Sequence, residues 1–523
     1  MGSVCRSVAV ITRRELFGLF GAATAGVALA GCGVASIAST GEVLPSAAPL
    51  PARFQVPLPV PPVARAAGVD PNGAELYRIT QRVADREILP GLRTPVLGYE
   101  GMFPGPTFET RSGRPIVVRY RNELPVPTVT HLHGGHTPPA SDGWPLDLLL
   151  PVGDTSDWTH HGMGGDLAMG EREHHYPMTQ QRASQLWYHD HRMGFTGPSV
   201  YRGLAGMHIV RDDIEDALPL PRGERELLLM ICDRSFNADG SFAYPAIDQT
   251  MRSVPGVEDA WMEGVLGDVV LVNGAPWPVH DVDAVRYRLR LLNASNARRF
   301  RLTMTVPGQA DLPLVQIGSD GGLLAAPIQH TFIDIAPAER FDVVVDFSAL
   351  PVGTLVTMTN PFDAGSAGDI MQFRVVRAAR DDSAVPATLA HIEPLIPPPG
   401  ARLRQFDFTR GEIGDHSGWT INGQPFDPDI SLADIPVGET EIWRFVTDVH
   451  HPVHVHLNAF QVLHRNGGPP GEFDHGWKDT VDLRPAEIVD VAVRFTDYTG
   501  HYVFHCHNLE HEDMAMMARI CTT

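Results

Sequence analysis

Three things are scarce in this chain of 523 residues: cysteine, positive charge and long apolar runs. Five cysteines are too few for a scaffold built on disulfide bonds. With 41 Lys and Arg against 62 Asp and Glu, the net charge is −21. This charge argues against nucleic-acid binding, because phosphate recognition requires basic patches. Beyond the first 32 residues, no segment is long and apolar enough to cross a bilayer, which takes about 20 residues in a helix.

The first 32 residues predict an export signal. Arg13 and Arg14 precede an uncharged run, residues 16–30, that ends in small residues. The paired arginines resemble a twin-arginine signal. Residues 29–32 resemble a bacterial lipobox in which Cys32 is lipidated; the alternative is cleavage after Ala30, which leaves a soluble secreted protein. We therefore expect an extracytoplasmic protein, either free or held at a membrane surface by Cys32.

Glycine and proline are plentiful, with 50 and 45 residues, which predicts many turns and short strands. Residues 33–66, rich in Ala, Pro, Ser and Val, are predicted to form a tether. After it, one pattern occurs three times: a turn, then an alternating strand with arginine on one face. Its glycines are Gly105, Gly274 and Gly423, spaced 169 and 149 residues apart, about one domain each. The sequence predicts an all-β chain of three tandem β-sandwiches over 67–220, 221–390 and 391–523, with helix confined to a turn or two near residues 201–205.

Histidine is in excess, with 24 residues, and ten of these fall with one cysteine in four clusters. The clusters are His131-Leu132-His133, His189-Asp190-His191, residues 451–456 with His451, His454 and His456, and His505-Cys506-His507 continuing to His511 and Met516. In a strand, His-x-His places both imidazoles on one face. A single histidine is usually an ordinary core or surface residue, but that explanation does not account for clustering four times over. The pattern predicts metal binding.

The donor types favour copper. One thiolate, imidazoles and a thioether describe a blue electron-transfer site, here Cys506, His511 and Met516 with a histidine of residues 451–456. The eight other imidazoles suit three closely grouped copper ions. His505 and His507 point away from the face that carries the thiolate. One three-residue stretch is therefore expected to reach both sites and to provide a short covalent path for electrons.

The four clusters resemble the signature loops of multicopper oxidases, and the resemblance runs from about residue 101 to 517. It implies cupredoxin-like Greek-key domains and four copper ions. The resemblance, rather than the spacing, divides the ligands. Type 1 copper would take His451, Cys506, His511 and Met516; type 2 would take His131 and His454; the type 3 pair would take His133, His189 and His507 on one ion and His191, His456 and His505 on the other.

The resemblance also indicates a branch. Residues 133–145, 201–206 and 511–517 are similar to the group of bacterial spore-coat laccases, phenoxazinone synthase and bilirubin oxidase. Plant and fungal laccases usually carry Leu or Phe at the axial position. Met516 therefore fits the bacterial branch, with the lower potential that a thioether implies.

The resemblance implies an enzyme that oxidises phenols, aminophenols or tetrapyrroles one electron at a time and couples this oxidation to reduction of O2 to two waters. We expect the donor to be oxidised at a solvent-facing edge of His511 and the chain to act as a monomer. Asp142 and Glu512 match acidic positions that the family uses for proton delivery; the alternatives are an ordinary turn aspartate and a surface glutamate. Asp190, between two ligands, is expected to orient them.

Two other functions share these motifs. A copper-tolerance oxidase acting on Cu(I) would contain all four loops, and activity on Cu(I) rather than phenols would distinguish it. A non-enzymatic copper-binding protein would be expected to lose ligands, and none is missing here. His160, His161, His174 and His175, with Met163, Met169 and Met178, form either an accessory copper site, a substrate wall or a solvated loop. Cys232 and Cys521 either pair or remain a small buried residue and a terminal one.

Overall fold

The computed structural model describes residues 40–156, 165–414 and 416–523. The predicted leader with Cys32, and also His160, His161 and Met163, lie outside these residues. Regular structure in the described part is almost entirely strand, as the glycine and proline content predicts. No helix in that part is long and apolar enough to span a membrane.

A short strand, β1 (Glu42–Leu44), precedes the first group of strands, which forms two facing sheets and a small ribbon. These strands are β2 (Gly68–Val69), β3 (Glu75–Arg86), β4 (Thr94–Tyr99), β5 (Phe108–Arg111), β6 (Ile116–Asn122), β7 (Thr130–His133), β8 (Leu148–Leu150), β9 (Leu167–Met169), β10 (Glu171–Tyr176), β11 (Ser184–Asp190) and β12 (Ala205–Arg211). One sheet has the order β10-β6-β3-β2, with β4 on β3, and the other has the order β5-β12-β11-β7. Helices α1 (Thr196–Tyr201) and α2 (Asp213–Ala217) flank β12.

The second group contains the largest sheet of the described chain. Its strands are β13 (Glu226–Phe236), β14 (Phe242–Ala243), β15 (Val265–Gly267), β16 (Val269–Val272), β17 (Ala275–Pro276), β18 (Val279–Asp283), β19 (Arg286–Asn293), β20 (Phe300–Thr305), β21 (Leu314–Ser319), β22 (Gly322–His330), β23 (Ile333–Ile335), β24 (Arg340–Asp346), β25 (Leu355–Thr359) and β26 (Asp369–Arg377). The sheets run β17-β16-β13-β19-β24-β21-β22 and β18-β26-β25-β20-β23.

The third group ends the chain. Its strands are β27 (Leu403–Ile413), β28 (His416–Ile421), β29 (Ser431–Ile435), β30 (Thr440–Thr447), β31 (His451–Val455), β32 (Gln461–Arg465), β33 (Thr480–Leu483), β34 (Ile488–Arg494), β35 (Gly500–Cys506) and β36 (Met517–Thr522), with helix α3 (Leu509–Asp513) between the last two. The sheets run β28-β27-β30-β34-β32 and β29-β36-β35-β31-β33. The predicted boundaries at residues 220 and 390 lie in the stretches between these groups of strands.

The threefold sequence repeat has a structural counterpart. The arginine-bearing strands β6, β19 and β30 occupy equivalent places, each paired in parallel with the first long strand of its group, β3, β13 or β27. On β19 two of the three arginines are buried: Arg288 and Arg290 both contact Glu215 of α2, at 3.1 and 2.8 Å. These ion pairs join the linker after the first sandwich to the second sandwich.

Residues 40–66 differ from the predicted tether, because they lie against the sandwiches. Strand β1 pairs in parallel with β15. The backbone of Ser46 donates to Asp268 (2.7 Å), and Ala64 donates to the carbonyl of Thr107 (2.8 Å). An extended proline-rich chain retains enough backbone groups to pair with exposed strand edges. We call residues 40–66 the strap.

The predicted helical turns lie earlier in the chain than expected. Helix α1 ends at Tyr201, and residues 202–204 form a turn in which Gly203 has a φ of +123°. That backbone conformation suits glycine and stops the helix. The prediction of helix at residues 201–205 was therefore wrong by about one turn.

Candidate metal centre

One group of donors lies wholly in the third sandwich. His451 begins β31, Cys506 ends β35 and His511 lies on α3, where strand pairing and the short helix bring them together. Cys506 Sγ lies 3.4 Å from His451 Nδ1 and 3.6 Å from His511 Nδ1. Met516 is fully buried in the same core, and its carbonyl accepts a hydrogen bond from the Cys506 amide (3.1 Å). Four predicted residues are thus neighbours.

The expected solvent-facing edge of His511 does not exist in the structure. His511 and His451 are both fully buried. The indole of Trp419 stacks on the His511 ring with centroids 3.9 Å apart, and Asn508 Nδ2 lies 3.2 Å from His511 Nε2. The sequence offers no sign of this cover, because Trp419 is 92 residues from His511 in the chain.

The other eight histidines meet between the first and third sandwiches. Neighbouring strands β7 and β11 pair His131 with His189, and neighbouring strands β31 and β35 pair His454 with His505. Alternation along each strand then directs both histidines of a motif to the same side. All eight are at most 1% exposed. Three sets of donor atoms each lie within 4.8 Å of one another: His133, His189 and His507; His191, His456 and His505; and His131, His133 and His454.

Hydrogen bonds orient several of these rings. In four of them Nδ1 lies at hydrogen-bond distance from a backbone carbonyl, which assigns the proton to Nδ1 and leaves the Nε2 lone pair free. The pairs are His131 with Asp142, His189 with Asp190, His454 with Asp479 and His505 with Cys506. Asp190 thus orients His189 through its carbonyl (2.8 Å), while its carboxylate accepts from the Val129 amide.

The donor sets fit a metal ion. The Nε2 atoms of His131, His189 and His454 are buried without a hydrogen-bond partner among the described residues. In the second set, His505 Nε2 lies 3.2 Å from His191 Nε2 and 3.3 Å from His456 Nε2. Two nitrogens bound at about 2.0 Å to one tetrahedral ion would be about 3.3 Å apart. Buried lone pairs facing one another are costly unless a cation lies between them.

Burial favours the neutral form of most of these imidazoles, which is the form that binds a metal. It lowers the pKa of His189 to about 3 and that of His191 to about 4. The pKa values of His131, His133, His454, His456, His507 and His511 are also lowered well below the usual range, first by burial and then by the repulsion that a protonated ring would meet from neighbouring basic groups, chiefly other histidines. Burial likewise raises the pKa of Cys506 well above its usual value, so a thiolate here needs a bound cation.

Sequence similarity to known proteins supports the metal centre that this geometry indicates. Sequence profiles described as multicopper oxidase match residues 82–162 and 397–523. A laccase of Bacillus subtilis is 35% identical over 84% of this chain and 93% of its own length. The chain belongs to the multicopper oxidases. A bilirubin oxidase of Albifimbria verrucaria is 34% identical, covering 90% of this chain and 81% of that relative. These two similarities confirm the laccase and bilirubin oxidase branch.

A solved multi-copper oxidase from Pediococcus acidilactici superposes with a TM-score of 0.78 at 31% identity, covering 92% of this chain and 93% of that one. This similarity confirms the predicted fold of three tandem β-sandwiches. The chain is thus a laccase-like copper enzyme that uses O2. Copper is its cofactor, and the histidine clusters match its type 1, type 2 and type 3 sites.

Both acidic candidates of this oxidase lie at the histidine cluster. Asp142 Oδ2 is 2.7 Å from His456 Nδ1, and burial raises the pKa of Asp142 to about 8. Glu512 lies 3.1 Å from His505 Nδ1 and accepts a hydrogen bond from Thr196 Oγ1 (2.7 Å). Burial alone would raise the pKa of Glu512, but His505 and His191 lower it below its ordinary value. The surface alternative for Glu512 was wrong, because only 1% of this residue is exposed.

Sequence reasoning missed a buried ion-pair network beside the cluster. Asp479 Oδ1 lies 3.1 Å from His133 Nε2, and the same carboxylate binds Arg340 of the second sandwich. The neighbouring Lys478 is fully buried and lies 3.1 Å from Asp320 and 3.0 Å from Glu339. No sequence motif identifies these residues, because their partners come from a different domain.

The remaining predicted candidates lie apart from the copper donors. His174 is a buried core residue whose Nδ1 is 3.1 Å from the carbonyl of Ser141, and His175 is exposed. Neither belongs to any group of three metal donors in the described part of the chain. Cys232 and Cys521 are free thiols, so they do not pair.

The lowered histidine pKa values predict acid sensitivity of the copper-free oxidase. A buried neutral histidine stays unprotonated, whereas the unfolded chain binds its proton below about pH 6.5, the ordinary value. The contribution of these histidines to the free energy of unfolding is therefore fully present above that pH. It is lost as the pH falls towards the pKa values of the folded protein, by about 1.4 kcal/mol per histidine and pH unit. The raised pKa values of buried carboxyl groups such as Asp142, Asp190 and Glu510 oppose this, but these groups are fewer than the histidines with lowered pKa values.

We expect thermal scans of the copper-free protein to show a melting temperature that drops steeply between about pH 7 and pH 5. Copper-loaded protein should melt higher at both values, because the ions bind the folded donors. A copper-free melting temperature that does not change over this range would contradict the assignment of neutral, buried imidazoles.

Proposed function

We propose that this oxidase acts on small aromatic donors, namely phenols, aminophenols or tetrapyrroles, and reduces O2 to two waters. The similarity to a laccase and to a bilirubin oxidase supports donors of this kind. The observation that carries the proposal is the convergence of buried imidazole and thiol donors in sets within 4.8 Å of one another. We further propose that the leader exports the protein.

We assign each copper site to residues of this chain, following the division of ligands that the family resemblance implies. Type 1 copper would be held by His451, Cys506, His511 and Met516; type 2 by His131 and His454; and the type 3 pair by His133, His189 and His507 with His191, His456 and His505. The unpartnered nitrogens and the short N···N distances support these sets. Bound copper supplies the redox chemistry, taking single electrons from the donor and delivering four to O2.

The protein's own residues connect the two centres. Cys506 lies between His505 and His507 in the chain, so covalent bonds alone join the thiol to two imidazoles of the cluster. His451 is oriented by Asp448, whose Oδ1 lies 3.1 Å from His451 Nε2, leaving Nδ1 towards Cys506. Such contacts hold the ligand side chains in position, which lowers the cost of reorganisation during electron transfer.

Acidic groups are placed to move protons. With a pKa of about 8, Asp142 carries a proton at neutral pH beside His456. Glu512 is ionised, accepts a hydrogen bond from Thr196 and lies 3.1 Å from His505 Nδ1, so it is ready to receive a proton. A cavity of about 280 Å³ extends from His131 and His456 to exposed Gln180, a route by which O2 and water reach the cluster.

Copper loading tests the function. We expect four copper ions per chain by elemental analysis and an intense blue absorption band, because Cys506 supplies a thiolate to one ion. A panel of a phenol, an aminophenol, bilirubin and Cu(I), followed by O2 consumption, then identifies the donor class. A fully loaded protein without the blue band would refute the copper assignment, and exclusive oxidation of Cu(I) would establish the copper-tolerance alternative.

A further inference from the structure

One arginine of the second sandwich contacts all three sandwiches beside the histidine cluster. Arg340, the first residue of β24, is only 1% exposed. Its Nε donates to the carbonyl of Gln185, on β11 of the first sandwich (3.0 Å). Its two terminal nitrogens donate to both carboxylate oxygens of Asp479 and to the carbonyls of Ala338 (3.0 Å) and Asp320 (3.3 Å). All N–H donors of the guanidinium are therefore used, which fixes its plane.

The carboxylate partner of this guanidinium orients two rings of the cluster. Asp479 is 3% exposed and immediately precedes β33 of the third sandwich. Its Oδ1 atom lies 3.1 Å from His133 Nε2, and its carbonyl oxygen lies 2.9 Å from His454 Nδ1. These two rings stack with centroids 3.6 Å apart. One residue thus holds a histidine from each of the two sandwiches that form the cluster.

The contact with Asp479 decides which nitrogen of His133 can bind a metal ion. Thr480 Oγ1 also lies 3.2 Å from His133 Nε2, so this nitrogen faces oxygen atoms of the protein. The Nδ1 atom of His133 is buried and has no hydrogen-bond partner among the described residues. His131 and His454 have the opposite arrangement, with Nδ1 at a carbonyl and Nε2 unpartnered. Because a carboxylate that accepts the proton of one ring nitrogen leaves the other nitrogen as metal donor, His133 needs Asp479 in place to present Nδ1.

The backbone after His133 fits closely against this ion pair. Gly134 has a φ of +81°, in the left-handed region that favours glycine. A Cβ atom at this position would lie 2.7 Å from Arg340 Nη2 and 2.7 Å from Asp479 Oδ2, closer than van der Waals contact allows. Any larger side chain at residue 134 would therefore displace the pair. The glycine after the first His-x-His motif is thus required by a contact with the second and third sandwiches.

We propose that Arg340 is a positioning residue of the oxidase, which orients His133 by holding the carboxylate of Asp479. His133 belongs to the donor set with His189 and His507, so that copper binding there, and reduction of O2, depend on this arginine. The inference rests on the ligand division of the proposed function, in which this set holds one ion of the type 3 pair. The contribution of Arg340 is geometric, since a planar fork that binds both carboxylate oxygens fixes the rotation of the carboxylate.

The variant Arg340→Lys tests the proposal, because lysine keeps the positive charge but cannot bind both carboxylate oxygens and the Gln185 carbonyl in one plane. We expect the blue band to persist, since no type 1 ligand is touched. Electron paramagnetic resonance should show an additional Cu(II) signal, because displacing one ion of a coupled pair leaves the other unpaired. We expect kcat to fall about tenfold, with KM for the organic donor within twofold of the original value.

Arg288→Lys is the matched control. Arg288 is also a fully buried arginine of the second sandwich, on β19, and its Nε donates to Asp342 (2.8 Å). Its ion pairs within the described residues involve no histidine of the cluster. We expect both lysine variants to melt at a lower temperature, whereas only Arg340→Lys changes the resonance spectrum. Identical resonance spectra for the two variants would overturn the proposal.

Asp479→Asn provides a second test that does not depend on folding of the lysine variant. Asparagine has nearly the same shape as aspartate, but its amide nitrogen cannot accept a hydrogen bond from Arg340, so the pair is broken while the space stays filled. The same additional Cu(II) signal is expected, and its absence from folded, copper-loaded Asp479→Asn protein would also overturn the proposal. An unaltered oxidase whose copper ions include no coupled pair would instead count against the ligand division in the proposed function.

Discussion

Replacing Cys506 by serine is expected to remove the blue absorption band and to lower O2 consumption with any organic donor by more than about a thousandfold. The thiol is the soft donor of the set formed with His451 and His511. It is also the atom from which covalent bonds lead to His505 and His507. A hydroxyl neither ionises readily in this buried site nor binds copper in the same way, so both effects follow from one atom.

The fold should survive this change. Cys506 is fully buried in the third-sandwich core, and serine is of similar size. The cost of burying a hydroxyl is reduced by the Asn508 amide, which already donates to the sulfur at 3.4 Å. Three copper ions should therefore remain by elemental analysis, bound by the histidine cluster.

Cys521→Ser is the matched control, since this cysteine is also in the third sandwich, on β36, yet belongs to no metal-donor group among the described residues. We expect it to keep the blue band and the full rate. A Cys506→Ser variant that retained the blue band would show that the thiol is not a copper ligand.

Replacing Glu512 by glutamine should slow O2 reduction by about a hundredfold while the blue band persists. The carboxylate bridges Thr196 and His505 at the cluster, and it has no contact with Cys506 at hydrogen-bond distance. Glutamine has nearly the same shape but cannot carry a proton, so proton supply fails while the type 1 ligands stay in place. Steady-state O2 consumption, together with the absorption spectrum of the resting protein, measures both.

Glu510 offers a closely matched control two residues away. It is equally buried, but its carboxylate accepts from Tyr244 (2.8 Å), Asn296 (2.9 Å) and the Val265 amide (3.1 Å) rather than from a cluster histidine. Burial raises the pKa of Glu510 to about 7, so glutamine resembles its protonated form. Glu510→Gln should keep the rate within about threefold. Equal losses in the two variants would indicate a structural role for Glu512 rather than proton delivery.

Much of the copper chemistry can be predicted from the sequence, because the motifs that bind the metal are short and local. His-x-His needs only the alternation of a strand, and the Cys506 motif needs only one strand end and one short helix turn. The resemblance to a known family then divided donors that spacing left unassigned. The threefold repeat was equally local, since each copy is a turn followed by one strand.

Other features depend on contacts that no local rule contains. Asp479 meets His133 across 346 residues, and Asp142 meets His456 across 314. The prediction of a tether for the strap was wrong, because amino-acid composition does not show which strand edges of the sandwiches are free to pair with it. His511 is likewise shielded from solvent by Trp419, which the sequence alone does not distinguish from any other core residue.

The sequence by itself determined that this chain is a three-sandwich copper oxidase, which residue types bind the metal and which strands carry them. Those properties follow from side-chain chemistry and the period of a strand. Only the tertiary structure decided that the type 1 histidines are covered, that Glu512 and Asp142 contact cluster histidines, and that Arg340 joins the three sandwiches beside them. Such features arise where segments distant in the chain pack together, and burial there changes both the access and the pKa values of the groups.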